Sequence, residues 1–347
     1  MKLGLVFPGQ GSQAVGMMSR YDGFPVVRDT FTEASAALGQ DLWALVENGP
    51  DESLNQTVNT QPAMLAADIA VYRAWRAAGG AAPDILAGHS LGEYAALVAV
   101  GALAFADALP LVRFRAQAMQ EAVPAGVGAM AAVMGLDAAG VTEACREAAQ
   151  GQVVEPVNFN APDQIVIAGH REAVERAGAA AKARGAKRAV MLPVSAPFHS
   201  VLMQPAAERL AARLAELTIE PLAVPVIHNV DVSVAGSPGA IRAALAAQAA
   251  NPVRWVETIQ GFVARGVTLN HLGHHLPKVI GRKGFAASEG ATTEGEARNR
   301  LHSAHHSHKR CLRLQLPYCA GASCPAKPTV LGEIFSVASF QCCHFML

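Results

Sequence analysis

Residues 85–97, ILAGHSLGEYAAL, decide the fold. The apolar tripeptide Ile85–Ala87 runs into the turn GHSLG, and an Ala-rich stretch at helical spacing follows at once. Strand, tight turn and helix in that order form the unit of an α/β protein with parallel strands. Ser90 stands in the middle of the turn, flanked by Gly88 and Gly92 in a G-x-S-x-G pattern. Small neighbours let a serine occupy a strained strand-to-helix turn with its oxygen exposed above the carboxyl edge of the sheet. The amides that open the next helix can then face a developing oxyanion. A purely structural turn would also use glycines, but the strand before and the helix after favour a nucleophile.

Working outward, the same alternation recurs. Leu3 to Phe7 reads as a short buried strand entering the loop PGQGSQ, and PAMLAADIAVYRAWRAAGG as an amphipathic helix with Pro62 near its start and Gly79 past its end. Phe105 to about Ala122 forms another helix. From Gly128 the order becomes β-α-β-β-α-β: AMAAVMGL, DAAGVTEACREAAQ, VVEPVNFN, QIVIAGH, REAVERAGAAAKARGA and KRAVMLPVS. That order defines a ferredoxin-like unit. A helix over Met203–Leu217, a strand VPVIHNV, helices over Ala240–Ala250 and Trp255–Arg265, and a strand VTLNHL then resume the first pattern. The expected architecture is a large α/β-hydrolase-like domain with a parallel sheet, residues 1–127 and 195–272, carrying an inserted ferredoxin-like domain, residues 128–194.

Composition narrows the function classes. Apolar residues make up 51% of the 347, and Lys plus Arg (28) equal Asp plus Glu (28). Such a balance argues against disorder and against a nucleic-acid-binding surface. No apolar run reaches the ~18 residues of a membrane span. The start, MKLGLVFPGQGSQ, lacks the longer apolar segment and small-residue cleavage site of a signal peptide, so a cytoplasmic protein is expected.

A serine at its free pKa needs a base. Histidines 89, 170, 199, 228 and 271 are the candidates before the tail. His89 adjoins Ser90 and should point away from it, His170 lies in the inserted unit, and His228 falls within a strand. His199, in SAPFHS, sits where the small unit hands back to the large one, and sites form between domains. PGQGSQA also satisfies G-x-G-x-x-A, but no second strand ending in an acidic residue follows at the required distance, which argues against dinucleotide binding. Arg115 lies on an apolar-rich helix, where the residues alone favour a solvated arginine; turned inward, its planar fork would suit a carboxylate.

The last stretch breaks the pattern. Residues 273–347 hold seven of the twelve histidines and five of the six cysteines, with neither strand nor helix periodicity. A zinc site built from His305, His306 or His308 with Cys311, Cys319 and Cys324 fits none of the paired ligand spacings. A loosely attached extension is a second reading. A non-native tail, translated out of frame, is the reading preferred here, and resequencing or an intact mass separates the three.

Taken together, FPGQGSQ, TQPAM, GHSLGEYAAL, the arginine of VRFRAQAMQ, GAMAAVMGL, PVNFNAPDQIVIAG, the histidine of SAPFHS, and QAANPVRW resemble the malonyl-CoA:acyl-carrier-protein transacylases and the acyltransferase domains of polyketide synthases. The resemblance covers residues 1 to about 270 in order. It implies that Ser90 is acylated, that His199 is its base, and that the main-chain carbonyl of Gln248 orients the imidazole in a dyad. It further implies an oxyanion hole from the N–H groups of Gln10 and Leu91, a carboxylate clamp at Arg115, and a bulky Phe198 disfavouring a 2-methyl branch. Malonyl-CoA and acyl carrier protein are the implied partners, and no metal or redox cofactor is implied. Lys187 and Arg188 become candidate contacts for an acidic carrier. After VTLNHL the family continues into a Gly-Pro-Gly-Lys loop and a closing helix, where this chain reads LGHHLPKVIGRKG. A serine esterase or thioesterase, and an inactive remnant with a damaged C-terminus, are the alternatives.

Overall fold

The computed structural model describes residues 2–194 and 196–269. The tail 273–347, with its histidines and cysteines, and His271 lie outside the described residues. In chain order the elements are β1 (Lys2–Phe7), α1 (Pro25–Leu38), α2 (Leu42–Asn48), α3 (Asp51–Leu54), α4 (Thr57–Ala77), β2 (Ile85–Gly88), α5 (Leu91–Ala99) and α6 (Phe105–Glu121). They continue as β3 (Gly128–Met134), α7 (Ala138–Ala148), β4 (Val154–Ala161), β5 (Gln164–His170), α8 (Arg171–Ala183) and β6 (Arg188–Met191). The described chain ends with α9 (Gln204–Ala215), β7 (Val226–Ile227), α10 (Pro238–Gln248), α11 (Trp255–Ala264) and β8 (Val267–Leu269).

The first sheet has the order β7-β2-β1-β8 and is parallel throughout. A two-residue side-chain period sorts its residues onto two faces. Leu5, Phe7, Leu86 and Val226 enter the largest core cluster, whereas Val6, Ile85, Ala87 and Ile227 pack with Trp255, Ile259 and Phe262 of α11. Both faces are therefore covered, as a parallel sheet requires. The second sheet, β4-β5-β3-β6, is antiparallel. Its alternation divides the same way: Ala129, Ala131 and Val133 face α7 and α8, while Met130 and Ala132 join the main core. The small sheet thus shares its inner face with the larger layer, and the Pro197 ring packs against Gly128 where the chain returns from it.

Several boundaries differ from the sequence reading. Thr57 opens α4, so Pro62 lies inside the helix and not at its start. The Thr60 hydroxyl, bonded to Leu54 O at 2.6 Å, ties the extra first turn to the preceding loop. The strand expected over VPVIHNV contracts to Val226–Ile227, and His228 leaves it for a side-chain partner. α2 and α3 escaped the reading because LWALVEN and DESL are too short to show a period. α7 behaves as read: Asp137 caps it by accepting the Gly140 N–H at 2.8 Å.

Candidate active site

β2 ends at Gly88 and α5 begins at Leu91, leaving His89 and Ser90 to make the turn. Ser90 has φ 53 and ψ −104, a backbone conformation strained for a side-chain-bearing residue. The Ser90 N–H donates to Asn229 Oδ1 at 2.6 Å, and Asn229 Nδ2 donates to Gly88 O at 2.7 Å, so one amide spans the turn. The flanking glycines follow from contact distance. A Cβ on Gly88 would lie 1.8 Å from the Gly92 carbonyl carbon, and one on Gly92 would lie 2.3 Å from Phe7 O. Both obstacles are backbone and cannot swing aside. Gly92→Ala is expected to destabilise the fold by about 3 kcal/mol or more, read as a lowered urea midpoint at unchanged slope.

His199 reaches the serine from the loop before α9, itself at φ 65. Its Nε2 lies 2.8 Å from Ser90 Oγ and its Nδ1 lies 2.9 Å from Gln248 O. A carbonyl can only accept, so the Nδ1 proton is fixed there and Nε2 presents a lone pair to the serine hydroxyl. Burial, and next the charge of Arg115, lower the His199 pKa to about 3 against the pull of the Gln248 carbonyl. The imidazole is therefore neutral at physiological pH and ready to take a proton.

Arg115 is not solvated, contrary to what the residues alone favoured. It is 1% exposed, because its side of α6 faces the core and packs against α4 and α5. Its Nη1 donates to Gln61 Oε1 at 2.8 Å, and its Nη2 to Ser90 Oγ at 3.0 Å and Gln248 Oε1 at 2.9 Å. The guanidinium also lies 5.4 Å from the Tyr94 ring centroid. All three acceptors are neutral oxygens. A buried cation so placed favours an anion arriving beside Ser90.

The remaining candidates fall nearby or elsewhere. Gln10 lies on the loop after β1, its side chain held by Thr57 Oγ1 at 3.2 Å, and a Cβ on neighbouring Gly9 would meet His89 O at 2.4 Å. Leu91 is the first residue of α5, where no preceding helical carbonyl can accept its N–H. Phe198 is buried beside His199 and packs into the main core. His89 points away from Ser90: its Nε2 meets Asn160 Oδ1 at 2.8 Å and its ring lies edge-on to Trp255. His170 accepts the Val153 N–H at 2.9 Å. Lys187 and Arg188 are exposed where β6 begins. Arg188 pairs with Met134, at the opposite end of β3 from the Gly128–Pro197 contact, about 20 Å away at strand rise.

Three residues of the site escaped sequence reasoning, Gln61, Glu93 and Asn229, and His228 was weighed only as a base and set aside as a strand residue; all four are at most 2% exposed. The available signal was a polar residue inside an apolar helical run, as in TQPAM and LGEYAAL. A buried polar group needs a partner, and that need is what such a residue announces.

Comparison with known proteins gives a consistent set of relatives. The acyl transferase domain family matches residues 5–293, more than half of the chain. The malonyl CoA-acyl carrier protein transacylase of Escherichia coli is 59% identical over 263 residues, covering 76% of this chain and 85% of that protein. Its counterpart from Bacillus subtilis is 46% identical over 269 residues, covering 77% and 84%. Among solved structures, an acyl-carrier-protein S-malonyltransferase from Burkholderia pseudomallei superposes with a TM-score of 0.78 at 57% identity, covering 79% of this chain and 89% of that one. A malonyl-transacylase solved in complex with a type II PKS acyl-carrier protein gives a TM-score of 0.78 at 54% identity, with the same coverage of 79% and 89%.

Proposed function

The chain belongs to the acyl transferase domain family, and from that premise we propose that it carries malonyl groups from malonyl-CoA to acyl carrier protein in fatty-acid biosynthesis. The observation that carries this reading is the convergence of His199 Nε2 at 2.8 Å and Arg115 Nη2 at 3.0 Å on the single oxygen Ser90 Oγ. A nucleophile, its base and a carboxylate-binding fork in one place suit a dicarboxylic thioester.

Ser90 and His199 work as a dyad, with Gln248 O in the place of a third acid. His199 Nε2 takes the serine proton as Oγ bonds to the thioester carbonyl carbon. The backbone N–H groups of Gln10 and Leu91 receive the charge that develops on the carbonyl oxygen. The tetrahedral intermediate collapses, the carbon–sulfur bond breaks, and the CoA sulfur leaves with the proton held by His199. In the second half-reaction the phosphopantetheine thiol of the carrier gives its proton to His199, attacks the malonyl-serine carbonyl, and expels Ser90 Oγ, which recovers the proton. Arg115 holds the distal carboxylate throughout. Phe198 restricts the space beside the α-carbon, which discriminates a methyl branch by about 1–3 kcal/mol.

The first sheet with its helices, residues 1–127 and 195–272, is the α/β-hydrolase-like unit. The second sheet, residues 128–194, is a ferredoxin-like insertion, supported by the strand order β4-β5-β3-β6. Among the described residues no helix is long and apolar enough to cross a membrane; the relatives and their substrates support action in the cytoplasm. The family match ends at residue 293, within the stretch 273–347 where the sequence pattern breaks.

Mass spectrometry after exposure to malonyl-CoA tests the proposal: one malonyl group is expected on the peptide containing Ser90, and holo acyl carrier protein should remove it. Discharge to water with no transfer would assign the chain to the hydrolases instead.

The neutral base predicts the pH response. An ordinary imidazole titrates near pH 6.5, but His199 stays unprotonated to about 3. The kcat/KM for serine acylation is therefore expected to hold level from pH 7.5 to 5.5, without an acid limb near 6.5. Stability follows the same linkage. The unfolded chain binds a proton between pH 6.5 and about 3 that the folded chain does not, so His199's contribution is complete above 6.5 and declines as pH falls through that window. Thermal melts across the range check this.

A further inference from the structure

Beneath the converging side chains lies a carboxylate that touches none of the reacting atoms. Glu93, in the first turn of α5, is fully buried, as is His228 beside it. Glu93 Oε1 lies 2.7 Å from His228 Nδ1, while Oε2 accepts the Asn229 N–H at 3.0 Å and Gln248 Nε2 at 2.8 Å. Gln248 Nε2 also donates to Ser90 O at 2.9 Å. Three segments remote in sequence thus meet on one anion: the Ser90 turn, the end of β7 and the end of α10.

We propose that Glu93 is a positioning residue that fixes the side-chain amide of Gln248, and through it the placement of Arg115, His199 and the Ser90 turn. The inference rests on the catalytic roles given above. A carboxylate can only accept hydrogen bonds, so the Gln248 amide must present its NH₂ end to Glu93. Its oxygen is then directed at Arg115 Nη2, 2.9 Å away. The same residue's main-chain carbonyl holds His199 Nδ1 at 2.9 Å. Asn229, held through its N–H, returns its Oδ1 to the Ser90 N–H and its Nδ2 to Gly88 O. Glu93 therefore orders base, clamp and turn without contacting substrate. An anion buried this deeply needs compensation. His228 supplies it: burial lowers the imidazole pKa, but the hydrogen bond and charge of Glu93 outweigh that and raise it.

An isosteric amide cannot do the same work. Glutamine at position 93 has one accepting oxygen for three donors, and its own NH₂ would face another. The Gln248 amide is then free to turn its NH₂ toward the Arg115 guanidinium. The experiment uses the full chain, with malonyl-CoA and holo acyl carrier protein, and counts active sites by titrating malonyl-serine. Glu93→Gln is expected to lower kcat per titrated site about 100-fold, the scale of a misplacement near 1 Å. The KM for malonyl-CoA should stay within about threefold, because the Arg115 charge remains. Gln248→Met, which cuts the side-chain link but keeps the main-chain carbonyl, should show the same split and serves should Glu93→Gln fail to fold. A merely structural Glu93 would reduce the titrated fraction and the melting temperature while leaving kcat per site at the parental value. That outcome, in either variant, overturns the proposal. A parent chain that takes no malonyl group at Ser90 would overturn the functional reading instead.

Discussion

Ser90→Ala is expected to abolish the malonyl adduct and to lower carrier malonylation by about 10⁵-fold or more. The estimate follows from the way a nucleophile and its base act as one unit: removing either loses nearly everything both supply, and a residual rate survives from binding and oxyanion contacts alone. His199→Ala should therefore match Ser90→Ala within about tenfold, and the double variant should be no worse than either. Structure supports a clean experiment. Alanine accepts the strained turn no less easily than serine, and the bonds that hold the turn, from Ser90 N to Asn229 and from Gln248 Nε2 to Ser90 O, use only its backbone. The variant should melt within a few degrees of the parent. An adduct persisting on the Ser90→Ala protein, or near-parental transfer by His199→Ala, would sink the dyad.

Why so much of this site was legible before any geometry is a question about local rules. The elbow could be read because Gly88 and Gly92 serve contacts within a few residues of themselves and against the neighbouring strand. The β-α-β-β-α-β run was legible for the same reason, since a two-residue period and an Asp cap at position 137 are local properties. Arg115 shows the limit. Its helix carries Arg113 two residues earlier, which reaches Leu38 O and the Gln40 side chain at the partly buried surface, and nothing in the window says which arginine turns inward. That depends on α4 and α5 closing around α6, a long-range outcome. Glu93 and Asn229, and the pairing of His228, were invisible for the same cause: Glu93 lies 135 and 136 residues from His228 and Asn229, the partners it bonds. Lys187 and Arg188 show a second limit. Their charge was evident, but their place at the far end of β3 is set by strand register, which a sequence does not display.

Arg115→Ala is expected to lower kcat/KM for malonyl-CoA by about 10²–10³-fold while leaving acetyl-CoA turnover near or above its parental level. The asymmetry follows from what the guanidinium touches. Its donors meet Gln61 Oε1, Ser90 Oγ and Gln248 Oε1, so it is a desolvated cation surrounded by neutral acceptors. Burial lowers its pKa, yet a guanidinium starts high enough to stay charged. Losing one member of a buried, hydrogen-bonded charge pair costs about 2–5 kcal/mol, which sets the expected range. An acetyl group brings no carboxylate and forfeits none of this. Malonyl-over-acetyl selectivity should therefore collapse by nearly the whole of the malonyl loss. Arg115→Lys tests whether charge alone suffices. An ammonium is a point donor without the planar fork, so it cannot serve Gln61, Gln248 and a carboxylate in one plane. It is expected to recover some malonyl binding and little of the rate. Equal losses for malonyl- and acetyl-CoA in Arg115→Ala would reduce Arg115 to a support for Ser90 and Gln248, and would leave the dicarboxylic preference without a residue to explain it.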